Sequence, residues 1–256
     1  MILKKFITNI LRSLGLKVIK IENDFLHKIP IEATEDEIKL IKEIKNYTMN
    51  GSLRIWALIV AFKSILQNNI EGDFVETGVW KGGNLILIQK LIEKYDIKEK
   101  KIIGYDTFEG FPKGTNFDKD FKNVNAEDYF LSKDNVENSD SFNSSVSIND
   151  VKRNFNDNSK INNNLILIKG KTQESLLDEK NIPKKISLIR LNTSFYESTK
   201  IELEILYPRL QKGGYLIIDD YGFWQGSRKA VDDYFNDKKI ALHFVDHTCR
   251  IMLKQD

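Results

Sequence analysis

Two adjacent carboxylates, Asp219 and Asp220, stand at the end of an apolar run in YLIIDDYG. Like charges side by side repel unless a cation or a proton relieves them, so a divalent metal is a natural partner for the pair. Mg2+ prefers oxygen ligands in octahedral geometry and keeps several waters. Placed here, it could orient a hydroxyl and lower its pKa. A second group of reactive residue types lies in DFVETGVWKGG, where Glu76 sits near the end of an apolar run, Gly78 follows, and Gly82 and Gly83 open a helical stretch. Glycines there let the backbone approach a ligand closely and leave the helix N-terminus pointing at it. Asp106 closes the next apolar run, where an acid can accept hydrogen bonds from ribose hydroxyls. A carboxylate at position 76 suits a cationic amino-acid moiety and opposes a pyrophosphate, and G-x-G-x-x-G is missing. The two acids and the glycines together favour S-adenosylmethionine (SAM) over a nicotinamide dinucleotide.

These residues need a frame that brings them together, and strand and helix patterns alternate along the chain. Helical spacing runs from about Thr34 to Lys45, from Leu53 to Gln67 and through LILIQKLIEKY. KKIIGYDTFEG reads as a strand, NNLILIKG as a strand, TQESLLDEK as a helix and ISLIRLN as a strand. STKIELEILYPRL reads as a helix stopped by Lys212-Gly213-Gly214, followed by the strand YLIIDDYG, the helix SRKAVDDYFND and the last strands in ALHFVDHTCRIMLKQ. This order predicts an α/β fold: a mainly parallel, twisted, Rossmann-like sheet with helices on both faces. Ligands of such sheets bind beyond the carboxyl ends of the strands. Glu76-Thr77-Gly78, Asp106, Gly170-Lys171-Thr172, Asn192 and Asp219-Asp220 are those ends.

Residues 112–145 are rich in Asn, Asp, Ser and Lys and poor in branched apolar residues. A connection of that length within a compact domain is expected to be a lid. It ends at Ser147 and Asp150, which have N-cap spacing for a helix. Residues 1–45 are expected to form a helical arm, and residues 46–256 the cofactor domain. In the arm, Ile2, Leu3, Phe6, Ile7, Ile10, Leu11 and Leu14 follow helical spacing, which fits packing on the domain or on a second subunit. Its basic polar face also allows a membrane surface, though the leading expectation is no membrane partner.

Composition sets outer bounds. With 256 residues, 41% hydrophobic and 30% charged, the chain can bury a sizeable core. A net charge of +2 gives no reason to expect nucleic acid as a partner. The single cysteine, Cys249, excludes an internal disulfide, reads as a buried structural thiol and fits a reducing cytoplasm.

GDFVETGVWKGG, YDTFEGFP, FYEST with ELEILYPRLQKGGYLIIDDYG, and SRKAVDDYF resemble the macrocin O-methyltransferase (TylF) family of class I SAM-dependent enzymes. Tyr47 to Asn50, YTMN, resembles a short motif preceding the SAM domain in that family. The resemblance spans Tyr47 to Phe235 and keeps the family's motif order. It implies methyl transfer to a hydroxyl, typically on a sugar of a glycosylated metabolite, and a homo-oligomer. Carried over, Glu76, Gly78 and Gly82 lie beside the methionine part of SAM, and Asp106 holds the ribose. Lys171, Thr172 and Gln173 lie near the adenine, while Tyr47, Thr48 and Met49 help enclose the methionine end, although core packing reads these last three nearly as well. The metal set implied is Asn192, Asp219 and Asp220, with Asp219 and Asn192 as the catalytic positions.

The chain departs from the family at LIRLNTSFYEST. The L-D-x-D stretch expected before Y-E-S-T has Asn192 and Ser194 in place of its two acids. An Asn carbonyl oxygen can still ligate a hard cation, but one charge is gone. At ~4 Å and an effective dielectric near 20, that attraction is roughly 4 kcal/mol before desolvation. A weakened Mg2+ site is therefore expected, and the proton acceptor is left open among Asp219, Asp220, Asp118 and Asp120. The three histidines, His27, His243 and His247, read by default as structural or surface groups. Arg228 could meet an anionic substrate or pair locally. Other readings stay open: a SAM-binding protein that has lost its chemistry, and a metal-independent methyltransferase acting on an amine or a phosphate-linked group. The Asn-, Lys- and Ile-heavy composition points to a surface glycan, or its nucleotide-linked precursor, as acceptor rather than a macrolide.

Overall fold

The structure is a computed structural model, and it describes residues 7, 10–15, 29–131, 145–160, 163–238 and 240–255. Seven strands form one sheet in the order β3-β2-β1-β4-β5-β7-β6. They are β1 (Asp73–Thr77), β2 (Ile102–Asp106), β3 (Leu165–Lys169), β4 (Ile186–Leu191), β5 (Leu210–Ile218), β6 (His243–Phe244) and β7 (Arg250–Leu253). The first five are parallel, while β7 pairs antiparallel with both β5 and β6. The chain builds outward from β1 through β2 to β3, then returns to place β4 on the other side of β1. That reversal opens a crevice at the carboxyl ends of β1 and β4, the place where doubly wound sheets bind ligands.

Alternate residues of each strand face opposite layers. Phe74, Ile102, Leu188 and Ile217 belong to one core with the helices Glu35–Ile44, Ser52–Gln67, Gly83–Lys94 and Ile148–Asn158. Val75, Ile103, Ile189 and Ile218 belong to the other core, with the helices Tyr196–Leu206 and Gln225–Phe235. The strands are apolar on both faces because both faces are covered.

Local signals account for the helix ends. Thr34 and Glu37 form a reciprocal capping box at the start of Glu35–Ile44. Ser147 accepts from the Asp150 backbone N–H, as its spacing predicts. Ile41 and Ile44 of the first helix are buried in the main core. Of the expected arm, residues 1–6, 8–9 and 16–28 lie outside the described residues, while Ile7, Ile10 and Leu14 are exposed.

Two expectations need correction. The helix Tyr196–Leu206 gives way to a 3-10 turn at Tyr207–Arg209, before the glycines are reached, because Pro208 has no N–H for a helical ladder. Gly213 and Gly214 instead lie within β5, where its pairing with β4 jumps from Ile186↔Leu210 to Leu188↔Tyr215. TQESLLDEK yields only one helical turn, Thr172–Ser175, and then a 3-10 turn at Glu179–Asn181. The segment expected to be a lid carries the helix Ala126–Leu131 and two antiparallel bridges, Lys119↔Asn125 and Asp120↔Trp224; residues 132–144 lie outside the described residues.

Candidate active site

The strand ends surround a cavity of about 330 Å3 at the β1/β4 crevice. Thr48, Met49, Gly78, Asp106, Lys171, Thr172, Gln173, Asn192, Asp219 and Asp220 all line it. Glu76 and Gly82 stand behind the lining. Three non-glycine residues with positive φ follow the strands here: Trp80 (49°) after β1, Phe108 (54°) after β2 and Ser194 (70°) after β4. Such angles are uncommon outside glycine and cluster where the chain is bent to serve a site. Asp106 organises two of these turns. Its Oδ2 accepts from the Val79 and Trp80 backbone at 2.7 and 3.1 Å, and its Oδ1 from the Phe108 backbone at 2.7 Å.

A continuous polar chain runs along one wall. Asn50 donates to Asn84, Asn84 donates to Glu76 Oε1 at 2.8 Å, and Glu76 pairs with Arg190. Arg190 Nη2 lies 2.8 Å from Asp219 Oδ1, a contact of charge rather than of aligned hydrogen bond. Asp219 Oδ2 meets Arg54 Nη1 at 3.0 Å, and Arg54 Nε meets Asp246 at 2.6 Å. Arg190 and Glu76 are cross-strand neighbours in the β1–β4 register, both almost wholly buried. Burial pushes the Glu76 carboxyl up to about 7 although Arg190 and Asn84 favour its ionised form. Sequence reading missed Arg190 and Arg54. The signal was present in LIRL, since an arginine inside a buried strand must find a counter-charge.

Asn192, Thr193 and Ser194 tie the end of β4 to three neighbours. Asn192 Nδ2 donates to the Gly78 carbonyl at 2.8 Å, Thr193 Oγ1 to Glu202 at 3.0 Å and Ser194 Oγ to Asp220 Oδ2 at 2.8 Å. Gly78 must be glycine: its φ is 77°, and a Cβ there would stand 2.2 Å from the Asn192 carbonyl oxygen. This donor set does not fit a divalent ion held by carboxylates. Both oxygens of Asp219 already face guanidinium groups, Asp220 accepts from Ser194, and position 192 offers only an amide oxygen. Among the described residues, no group of three or more His, Cys, Asp or Glu side chains is placed to hold a metal ion.

A family model described as macrocin-O-methyltransferase (TylF) matches residues 30–254. The chain belongs to the macrocin O-methyltransferase family. It is a SAM-dependent O-methyltransferase with the class I fold. Demethyldecarbamoylnovobiocin O-methyltransferase of Streptomyces niveus is 29% identical over 192 residues, covering 73% of this chain and 67% of the relative. The 8-demethyl-8-(2,3-dimethoxy-alpha-L-rhamnosyl)-tetracenomycin-C 4'-O-methyltransferase of Streptomyces olivaceus is 29% identical over 188 residues, covering 73% and 67%. The structure of the O-methyltransferase NovP superposes with a TM-score of 0.70 at 27% identity, covering 82% of this chain and 83% of that one.

The methyltransferase's cavity fits the cofactor. Its volume lies in the range of small-molecule sites. Asn50, Asn84 and the Arg190–Glu76 pair offer donors and acceptors suited to a zwitterionic amino-acid end, and Glu76 Oε2 is buried without a protein partner. Asp106, Lys171 and Gln173 offer the polar edge a nucleoside needs.

Phe111, Tyr129, Phe223 and Trp224 line the same cavity, and Phe130 and Phe195 pack with them. The Nε1 of Trp224 is buried without a protein partner. Asp118 and Asp120 are not among the residues that line the cavity. Asp118 is fully buried, with its oxygens taking the Tyr196 backbone N–H at 2.8 Å and the Thr115 backbone and hydroxyl at 2.6 and 2.8 Å. Asp120 takes the backbone N–H groups of Lys122 and Val124. Asp118 thus ties its segment to the start of the helix Tyr196–Leu206, and Asp120 braces its own turn. His247 lines the cavity, His243 lies on exposed β6, and His27 lies outside the described residues. Arg228 stacks over the Tyr221 ring in a separate groove, and Cys249 is buried.

Proposed function

We propose that this methyltransferase methylates a hydroxyl of a sugar-containing acceptor: a surface glycan, its nucleotide-linked precursor or a glycosylated metabolite. The observation that carries this is one cavity lined both by cofactor-like polar groups and by aromatic rings together with Asp220, which Ser194 hydrogen-bonds. Aromatic faces suit the apolar face of a sugar ring, and a rhamnosyl acceptor appears in the name of one relative. SAM, when bound, supplies a methyl group on a sulfonium centre.

The chain's own residues orient the acceptor and manage its proton. Asp219 is committed to Arg54 and Arg190, so it anchors the wall. Asp220 is the carboxylate left to take the acceptor proton. Burial first, and then Asp219 beside it, holds its pKa above the ordinary carboxylate range, which makes it a better base than an exposed acid. Ser194 fixes its orientation, and Asn192 holds Gly78 and presents an amide oxygen. Mg2+ contributes weakly at most, because Asn192 and Ser194 have removed two charges and the arginines answer a third.

Titration calorimetry with SAM, followed by transfer of isotopically labelled methyl to sugar nucleotides and glycan fractions, tests the reading. Asp220→Asn is expected to keep SAM affinity within a few-fold and to lower transfer by roughly 10²–10⁴-fold. Absence of SAM binding at millimolar concentration, or label appearing on amines rather than hydroxyls, would sink it. For the metal, Mn2+ titrated into the wild-type protein is expected to show no stoichiometric binding, whereas the double substitution Asn192→Asp, Ser194→Asp is expected to gain it, read by paramagnetic resonance. Stoichiometric Mn2+ on the wild type would contradict the weakened site. Exposed Ile7, Ile10 and Leu14 support a homo-oligomer joined through the arm, and the single buried thiol supports a cytoplasmic setting.

A further inference from the structure

Behind the cofactor cavity lies a carboxyl group that methyl transfer does not use. Glu202, on the helix Tyr196–Leu206, has no exposed surface. Its surroundings are hydroxyls: Thr193 Oγ1 donates to Oε2 at 3.0 Å, and Thr172 and Thr77 also favour its ionised form. No charged side chain from β1, β4 or the helices Thr172–Ser175, Tyr196–Leu206 and Gln225–Phe235 is among the groups acting on it. Burial outweighs the three hydroxyls and pushes the carboxyl up to about 8, so it carries a proton at neutral pH. A protonated carboxyl has one O–H to donate. Thr77 Oγ1 and Glu202 Oε1 are both buried and both without an aligned partner, as expected where that proton completes the network.

The positions of the threonines give this group its reach. Thr77 is the last residue of β1 and precedes Gly78. Thr172 opens the turn after β3, and Thr193 follows β4. Gly78, Thr172 and Thr193 all line the cavity. One side chain therefore touches three of the loops that wall it.

We propose that Glu202, in its protonated form, is a positioning residue that holds the loops after β1, β3 and β4 at the spacing SAM binding requires. The inference rests on assigning this cavity to the cofactor. Losing the proton would leave a buried charge with no counter-ion, and the loops would have to part to hydrate it.

SAM titrations of wild type, Glu202→Gln and Glu202→Ala between pH 7 and pH 9 test this. Glutamine mimics the neutral acid, and other titrating groups cancel in the ratio of the two affinities. That ratio is expected to move about tenfold in favour of the glutamine variant from pH 7 to pH 9. Glu202→Ala is expected to bind several-fold more weakly than wild type at pH 7. A pH-independent wild-type to glutamine ratio would overturn the proposal even if the alanine variant fails to fold. So would alanine binding as tightly as wild type. Failure of wild type to bind SAM at pH 7 is a separate outcome that removes the cofactor assignment itself.

Discussion

Replacing Arg190 by leucine is expected to cost about 3–5 kcal/mol of stability, the range for removing one partner of a buried ion pair. In a chain of this size that lowers the melting temperature by on the order of 10 °C. Arg190 is the cation between Glu76 and Asp219, and 3% of Arg190 and 3% of Asp219 is exposed. Without it Arg54 still faces Asp219, but Glu76 keeps only the amide of Asn84. The Glu76 carboxyl, already raised to about 7 by burial, rises further, because Arg190 is the strongest group favouring its ionised form. A buried acid whose folded pKa exceeds its unfolded value contributes stability that is full below the unfolded pKa and lost as pH rises through the folded one. The deficit of Arg190→Leu should therefore be smaller at pH 5 than at pH 8. Adding Glu76→Gln should recover part of the loss, since it removes the orphaned charge, and thermal melts of the two single variants and the double variant would show it. Equal deficits at both pH values would mean that packing, not charge, is what Arg190 supplies.

Features set by short stretches of chain were legible in the sequence. The capping residues Thr34 and Ser147, the strand ends at Asp106 and Asp219-Asp220 and the alternation of strands and helices each depend on residues a few positions apart. So did the resemblance that placed Thr48, Lys171 and Gln173 at the cavity. What escaped was mostly long-range. Arg190 and Glu76 are separated by 114 residues and Arg54 and Asp219 by 165, so no local pattern links them. The adjacent acids Asp219 and Asp220 were legible, whereas the cations that reach Asp219 from elsewhere were not. Glu202 was equally hidden. It sits in a helix that reads as amphipathic, and only the packed structure shows that its position faces Thr193 rather than water. The strand glycines 213 and 214 looked like a helix stop because a Pro208 turn and a strand irregularity, taken together, mimic one.

The departure at Asn192 and Ser194 acquires a different meaning in this setting. Neutral side chains there do not leave a gap. Each makes a bond that a carboxylate could not make, since Asn192 and Ser194 both act as donors, to a carbonyl and to Asp220. The end of β4 is tied directly to the loop after β1 through Asn192 and to the end of β5 through Ser194.

Gly78→Ala tests those ties and is expected to abolish measurable SAM binding while costing about 2–5 kcal/mol of stability. Two penalties combine. A left-handed backbone at φ 77° costs a residue with a Cβ about 1–2 kcal/mol. The new Cβ also overlaps the Asn192 carbonyl oxygen at 2.2 Å, a backbone atom that cannot swing aside, and overpacking of that kind typically adds about 1–3 kcal/mol. Relief requires β1 and β4 to separate at their carboxyl ends, which breaks the Asn192–Gly78 hydrogen bond and shifts Thr77 and Thr193 together. Gly82→Ala is the internal control. Its φ of 86° carries the same backbone penalty, but its Cβ meets only the Val151 Cγ1 at 3.1 Å, the end of a side chain that can yield. That variant should lose about 1–2 kcal/mol and retain SAM binding within roughly tenfold. Calorimetry and thermal melts on both proteins separate the two effects. If Gly82→Ala proves as damaging to SAM binding as Gly78→Ala, backbone conformation alone explains the loss, and the close approach of β1 to β4 has no special part in forming the site.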